Sequence, residues 1–143
     1  MTANPNDTAH GADTPSTQAT MHAMVQDRFG GPEVLELRSI PVPTPEPGQV
    51  VIEVRAASLN PYDWHMMRAR PHIARTAAGL RRPKHPVPGS DMAGVVVATG
   101  SEVTEFQPGD EVYGPGVGGY AEFGVLSERA AAHKPAGASF EEA

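Results

Sequence analysis

The chain contains no cysteine. Disulfides, thiolate zinc ligands and a cysteine nucleophile are thereby excluded. No apolar run approaches the roughly 18 residues that a membrane-spanning helix needs, so no membrane partner is expected. Bases are the minority, 11 against 17 acids. That balance argues against nucleic acid as a partner and suits a soluble cytoplasmic protein. The N-terminus lacks the charged start and apolar segment of a secretory signal, and the arginines of a transit peptide. No internal repeat is visible. What the chain has in quantity is glycine and proline, 15 of each in 143 residues. Such a composition favours many turns and short strands over long helices. One domain is the natural expectation at this length, with a core that buries roughly two-thirds of the unfolded surface.

Residues 1–20 are Thr, Ala, Asn, Asp, Pro and Ser with almost nothing to bury, and read as a disordered tail. From Met21 the texture changes. His22–Gln26 reads as a strand ending at the turn cluster Phe29-Gly-Gly-Pro32. Val34–Ile40 alternates, with Leu35 and Leu37 opposite Val34, Glu36 and Arg38. Residues 41–47 hold four prolines and must be an extended loop. Gln49–Ala57 alternates again, with Val50, Ile52, Val54 and Ala56 on one face of a half-buried strand. Asn60 to about Arg70 is the helix candidate. Asn60 can cap it, Pro61 fits its first position, Asp63 suits the dipole of its first turn, and Pro71 ends it. Ala93–Thr99 reads as a buried strand. Gln107-Pro-Gly-Asp110 matches a type II turn. Glu111–Gly114 and Tyr120–Leu126 complete the strands, the second with Ala121, Phe123 and Val125 inward and Tyr120 and Glu122 outward. Short strands at this spacing with one short helix predict a mainly β fold, a partly open β-barrel.

Three separated motifs occur in one order: Ser-Leu-Asn-Pro-Tyr-Asp-Trp-His (58–65), Pro-Gly-Ser-Asp-Met-Ala-Gly-Val-Val (88–96) and Phe-Gln-Pro-Gly-Asp-Glu-Val-Tyr-Gly (106–114). Together they resemble the GroES-like domain of the medium-chain dehydrogenase/reductase superfamily, in its zinc-free, quinone-oxidoreductase-like branch. The resemblance runs from about Met21 to the last residue. It implies a tail over 1–20, a GroES-like substrate-side domain over 21–138, and over 139–143 the start of a helix leading to a nucleotide-binding domain. Ser139-Phe-Glu-Glu142 has the capping-box pattern of a helix start. The expectation is therefore the N-terminal part of a longer enzyme, inactive by itself. A stand-alone, non-catalytic GroES-like binding module is the alternative.

In zinc-dependent relatives a cysteine ligand and a histidine stand where this chain has Asn60 and Pro61. The Gly-His-Glu motif is here Gly89-Ser90-Asp91, and the four-cysteine lobe is missing. Catalytic zinc needs three good protein ligands and an open position, so no zinc is expected. Without a metal to lower the pKa of an alcohol oxygen, the easier direction is hydride addition to an electron-poor acceptor such as a quinone or enone. Hydrogen-bond donors that steady the developing oxyanion then suffice. The resemblance puts the active site in the cleft between the two domains and implies NADPH, with NADH not excluded, as cofactor. It also implies a possible homodimer of the longer form. The candidate catalytic residues are Asn60, Tyr62 and Asp63. Trp64, His65, Ser90 and Asp91 would line the substrate cleft. The plainer reading of Asn60 and Asp63 is a helix cap and a first-turn acid, and that of His65 a surface or packed residue.

Gly114-Pro-Gly116-Val-Gly118-Gly119 contains the letters of a dinucleotide fingerprint. That fingerprint must leave a strand and open a helix, whereas here a strand pattern follows, so the segment reads as a flexible hairpin connection. Arg68, Arg70, Arg75, Arg81, Arg82 and Lys84 occur with no acid from Trp64 to Ser90. They read either as a patch that attracts cofactor phosphates or an anionic substrate, or as a solvated loop.

Overall fold

Alternating apolar residues in short strands can be buried only if the strands curl around a shared interior. In the computed structural model, which describes residues 19–70 and 72–143, they do so. The strands are β1 (Thr20–Val25), β2 (Glu36–Pro41), β3 (Gln49–Ala57), β4 (Asp91–Thr99), β5 (Glu111–Val117), β6 (Phe123–Ser127) and β7 (Ala132–His133). Two helices are described, α1 (Pro61–Arg68) and the single turn α2 (Arg75–Ala78). All strand pairings are antiparallel. β3 pairs with β4 on one edge and β6 on the other, and β5 bridges β4 to β6. The four strands thus make a partly closed barrel, with β7 added beside β5. β1 and β2 form a separate hairpin. It is tied on by an Ala23–Ala121 bridge and by the Met24 N–H donating to the Tyr120 carbonyl at 2.9 Å. The expected tail falls, for residues 1–18, outside the described residues.

Two apolar clusters result. Val50, Ile52, Met92, Val96, Phe106, Val112 and Leu126 fill the barrel. Met21, Ala23, Val25 and Val87 pack under the hairpin, with Ala121 and Phe123 against them. The second cluster corrects the alternation expected for Tyr120–Leu126. Ala121 and Phe123 do turn inward, but toward the hairpin, while the barrel receives Leu126 from the opposite face. Tyr120, expected outward, is half-buried. A strand lying between two cores cannot be read from one period. Val51 is buried as well, although it lies on the strand face opposite Val50 and Ile52. In the hairpin, Val34 belongs to a 3-10 turn rather than to the strand, and Leu37 is left 68% exposed.

The β3–β4 ladder contains two irregularities, between Val51 and Ile52 and between Val54 and Ala56. At the first, Val97 is an extra residue on β4 and stays 41% exposed. Such bulges increase local twist and help a small sheet to close. Gly94 lies between them, where a Cβ would run into the Glu53 carbonyl oxygen. Only glycine lets the two backbones approach so closely.

Gln107–Asp110 makes the expected turn, with the Asp110 N–H donating to the Gln107 carbonyl at 3.1 Å and Gly109 at φ 99°. The glycine-rich stretch differs from its expected hairpin connection. Gly114 to Val117 is strand, paired with β4 and β6, and only Gly118 and Gly119 lie outside it, before β6. At the C-terminus the Ser139 N–H donates to the Glu142 carboxylate at 2.9 Å, and residues 140–142 form a turn.

Candidate functional site

Helix α1 owes its place to its first four residues. Asn60 is extended at φ −127° and ψ 169°, and its Oδ1 accepts the Tyr62 and Asp63 N–H groups at 2.9 and 3.4 Å. Asp63 Oδ2 in turn accepts the Asn60 N–H at 3.1 Å. This reciprocal box satisfies donors that a helix start leaves open. At the other end Ala69 takes the left-handed conformation, φ 50°, and the Arg70 N–H closes on the His65 carbonyl at 3.2 Å. That double closure is a Schellman ending, built here on alanine where glycine is usual. The helix therefore stops at Arg68, two residues short of the expected Arg70.

Both capping side chains also reach the chain where it enters β4. The second oxygen of Asp63 accepts the Ser90 N–H at 3.1 Å and the Ser90 hydroxyl at 2.9 Å. Asn60 Nδ2 donates to Asp91 Oδ2 at 2.5 Å, with Ser58 Oγ at 3.5 Å. Both ends of the Asn60 carboxamide are thus engaged. Asp63 is 7% exposed, the one buried residue of its helix. A buried carboxylate is tolerable because its lone pairs are satisfied. Ser90 is delivered by Gly89, whose φ of 95° suits glycine and which leaves no room for a Cβ beside Tyr120 and Gly119. Tyr120 closes the group by donating its hydroxyl to the Ser58 carbonyl at 3.1 Å. Burial pushes that hydroxyl well above the usual phenol range, and the nearby Asp63 and Asp91 carboxylates push it the same way. It is a neutral donor at every working pH.

The fold therefore brings Asn60, Asp63, Ser90 and Asp91 into one hydrogen-bonded network. It leaves Tyr62, Trp64 and His65 outside it. Tyr62 and Trp64 are 57% and 45% exposed on the open side of α1. Trp64 stacks edgewise on the His65 ring, centroids 5.0 Å apart, and carries the Arg68 guanidinium 4.8 Å from its centroid. His65 Nδ1 lies 2.9 Å from the Arg70 carbonyl, a contact that puts the proton on that nitrogen. Among the candidates, only Asp91 reaches the adjoining cavity, which is about 410 Å³ in volume. Its wall runs from Ala56 to Ser58 at the end of β3, through Met92 on β4 to Tyr113 on β5, with Phe140 against it. Sequence reasoning missed Ser58, Tyr113 and Tyr120. Ser58 stood inside a recognised motif, but no spacing links residue 58 to residue 120.

The described residues contain no group of three or more His, Asp or Glu side chains placed to hold a metal. The glycine-rich stretch does not form a dinucleotide fingerprint: Gly114–Val117 is strand, and the glycines after it lead into β6 and not into a helix.

Residues 46–136 match the alcohol dehydrogenase GroES-like domain. The chain is 38% identical over 123 residues to the chloroplastic quinone-oxidoreductase QR1 of Triphysaria versicolor, covering 80% of itself and 35% of that protein. Among solved structures it resembles the quinone oxidoreductase from Coxiella burnetii, with a TM-score of 0.75, 32% identity, and coverage of 87% and 40% of the two chains. A mycobacterial protein solved in complex with NADPH gives a TM-score of 0.70 at 28% identity, over 84% and 34%. The chain spans about a third of the length of the curated relatives it matches.

Proposed function

The chain belongs to the alcohol dehydrogenase GroES-like family, in the quinone-oxidoreductase-like branch of the medium-chain dehydrogenase/reductase superfamily, and on that premise we propose that it forms the substrate side of a zinc-independent, NAD(P)H-dependent reductase of quinones or related enones. In this reading residues 21–138 are the substrate-side domain, and the nicotinamide is held by a separate nucleotide-binding domain. The NADPH-bound mycobacterial neighbour favours NADPH. The dinucleotide would supply the hydride, and the residues here are assigned only the acceptor's side of the reaction.

The observation that carries the reading is the lock between α1 and β4. Asn60 and Ser90 stand where the resemblance puts a cysteine and a histidine ligand in zinc-dependent relatives, and here Asn60 bonds to Asp91 and Ser90 to Asp63 instead. The lock fixes the helix while leaving the Tyr62 hydroxyl and the Trp64 indole N–H on its open side. Held in place, these donors would meet the negative charge that develops on a quinone or enone oxygen during reduction, with no reorganisation at that moment. Asn60, Asp63, Ser90 and Asp91 act as positioning residues, and Arg68 over Trp64 favours an electron-rich oxygen nearby.

The test joins this chain to the nucleotide-binding domain of a quinone oxidoreductase relative and follows NADPH oxidation with a quinone. The joined protein should turn over, and the chain alone should not. Tyr62→Phe and Trp64→Phe should each lower kcat/KM by about ten- to a hundredfold. Stoichiometric zinc in active protein, or turnover by the chain alone, would overturn the reading. A second reading, a non-catalytic binding module, is favoured by the 85% exposure of Leu59 beside α1. A joined protein that folds and binds NADPH, yet reduces no quinone or enone, would support it.

A further inference from the structure

The segment 70–86 sets itself apart in charge. It holds five of the chain's 11 bases and none of its 17 acids. Arg70, Arg75, Arg81, Arg82 and Lys84 are all exposed. Among the described residues, none of the five has an ion-pair partner within 4.0 Å. His72 and His85 are exposed on the same segment. Two large aliphatic side chains accompany the cations, Ile73 at 75% exposure and Leu80 at 77%.

The backbone gives this composition a shape. α2 is anchored by Ala78, 6% exposed, and by the Arg75 guanidinium 5.9 Å from the Phe29 ring centroid. After it the Lys84 N–H returns to the Ala78 carbonyl at 2.7 Å. Gly79 makes the turn so closely that a Cβ there would strike the Arg82 carbonyl oxygen. The result is a closed loop over 79–84 with Leu80, Arg81 and Arg82 at its tip. A solvated linker has no need of such a closure, and a loop kept only for solubility has no need of two bare aliphatic residues.

We propose that this loop, with the turn at Ile73 preceding it, is a docking surface for a bilayer rich in anionic phospholipid. The cations match the headgroup phosphates and carboxylates, and arginine, four of the five, pairs with phosphate through two N–H groups at once. Leu80 and Ile73 enter the boundary between headgroups and acyl chains, where their exposed area leaves water. A soluble polyanion or an acidic protein face would satisfy the charges but leave the two aliphatic tips bare, so the combination favours lipid. No described helix is long and apolar enough to cross a membrane, and a surface contact requires none. The contact is separate from the reductase reading and stands or falls without it.

The test is co-sedimentation of the full chain with vesicles of equal parts phosphatidylcholine and phosphatidylserine, against vesicles of phosphatidylcholine alone. Binding is expected to the mixed vesicles only, and it should weaken as salt screens the charges. The triple variant Arg81→Gln/Arg82→Gln/Lys84→Gln should bind about a hundredfold more weakly, near fivefold for each charge removed. Leu80→Ser, which keeps every charge, should weaken binding by about tenfold. Arg129→Gln, an exposed cation elsewhere, should change binding little. Circular dichroism and thermal unfolding establish that each variant is folded. The proposal is overturned by no binding to mixed vesicles, by equal binding to neutral ones, or by unchanged binding of the folded triple variant. Retention on immobilised poly-glutamate with an unaffected Leu80→Ser variant would also overturn it, in favour of an acidic protein partner.

Discussion

At the scale of single residues, Asp63 does the most. One carboxylate closes the capping box of α1 and receives both polar hydrogens of Ser90, 27 positions away. Removing it would leave partly buried N–H groups unpaired, which costs more than the bonds themselves are worth. Asp63→Ala should lower unfolding free energy by about 3 kcal/mol in a urea titration. Asp63→Asn, which keeps an acceptor on the helix start, should cost less than half as much. Equal losses for the two variants would mean that packing, and not hydrogen bonding, makes the residue matter. The cap was legible in the sequence because Asn-Pro at a helix start has a local signature. The partner just before β4 was not, because Ser90 meets Asp63 only after the chain has passed through the whole basic segment.

Among the elements, the pairing of β3 with β4 decides the shape of the barrel. Its two register shifts bend the ladder where the sheet must curl, and Gly94 sits where the backbones come closest. Gly94→Ala should force the strands apart and cost about 2 kcal/mol, read as a lower thermal midpoint. A midpoint within a degree or so of the parent protein's would show that the ladder can give way without loss. The strand itself was expected from its run of small and β-branched residues, and β3 appears over the expected Gln49–Ala57. The bulges were not expected. A period-2 pattern says which residues are apolar and is silent about a residue inserted between two pairs.

For the molecule as a whole, surface glutamates fasten loops to the barrel and the hairpin. Glu128 accepts the Glu105 and Thr104 N–H groups, each at 2.6 Å, and these bonds hold its carboxyl below the usual range. Glu122 is held down chiefly by the His22 N–H, at 2.7 Å, across the contact between β1 and the start of β6. Bonds within the turn at Gly31 and Glu33 lower Glu33. A carboxyl whose folded pKa lies below its unfolded value binds fewer protons when folded. Its contribution is complete above the ordinary glutamate value near 4.5 and is lost as pH falls through the lower folded value. Stability should therefore decline as pH drops below that point, followed as the urea midpoint against pH. Glu128→Gln should be less stable than the parent protein at neutral pH and should show a shallower acid decline. An unchanged slope would remove these contacts from the account.

The sequence alone determined the local pieces of this protein: strands, turns, a capped helix and an ordered set of motifs specific enough to identify a family. Each of those depends on residues close together in the chain, where backbone preference and side-chain chemistry act directly. Tertiary structure alone decided which core each face serves. Phe123 and Leu126 serve two different cores, Tyr120 turns in to meet Ser58, and Asp91 stands where the capped helix and the cavity meet. Those outcomes follow from closing a four-strand ring against a separate hairpin, because burial is a property of the assembled surfaces and not of any one segment.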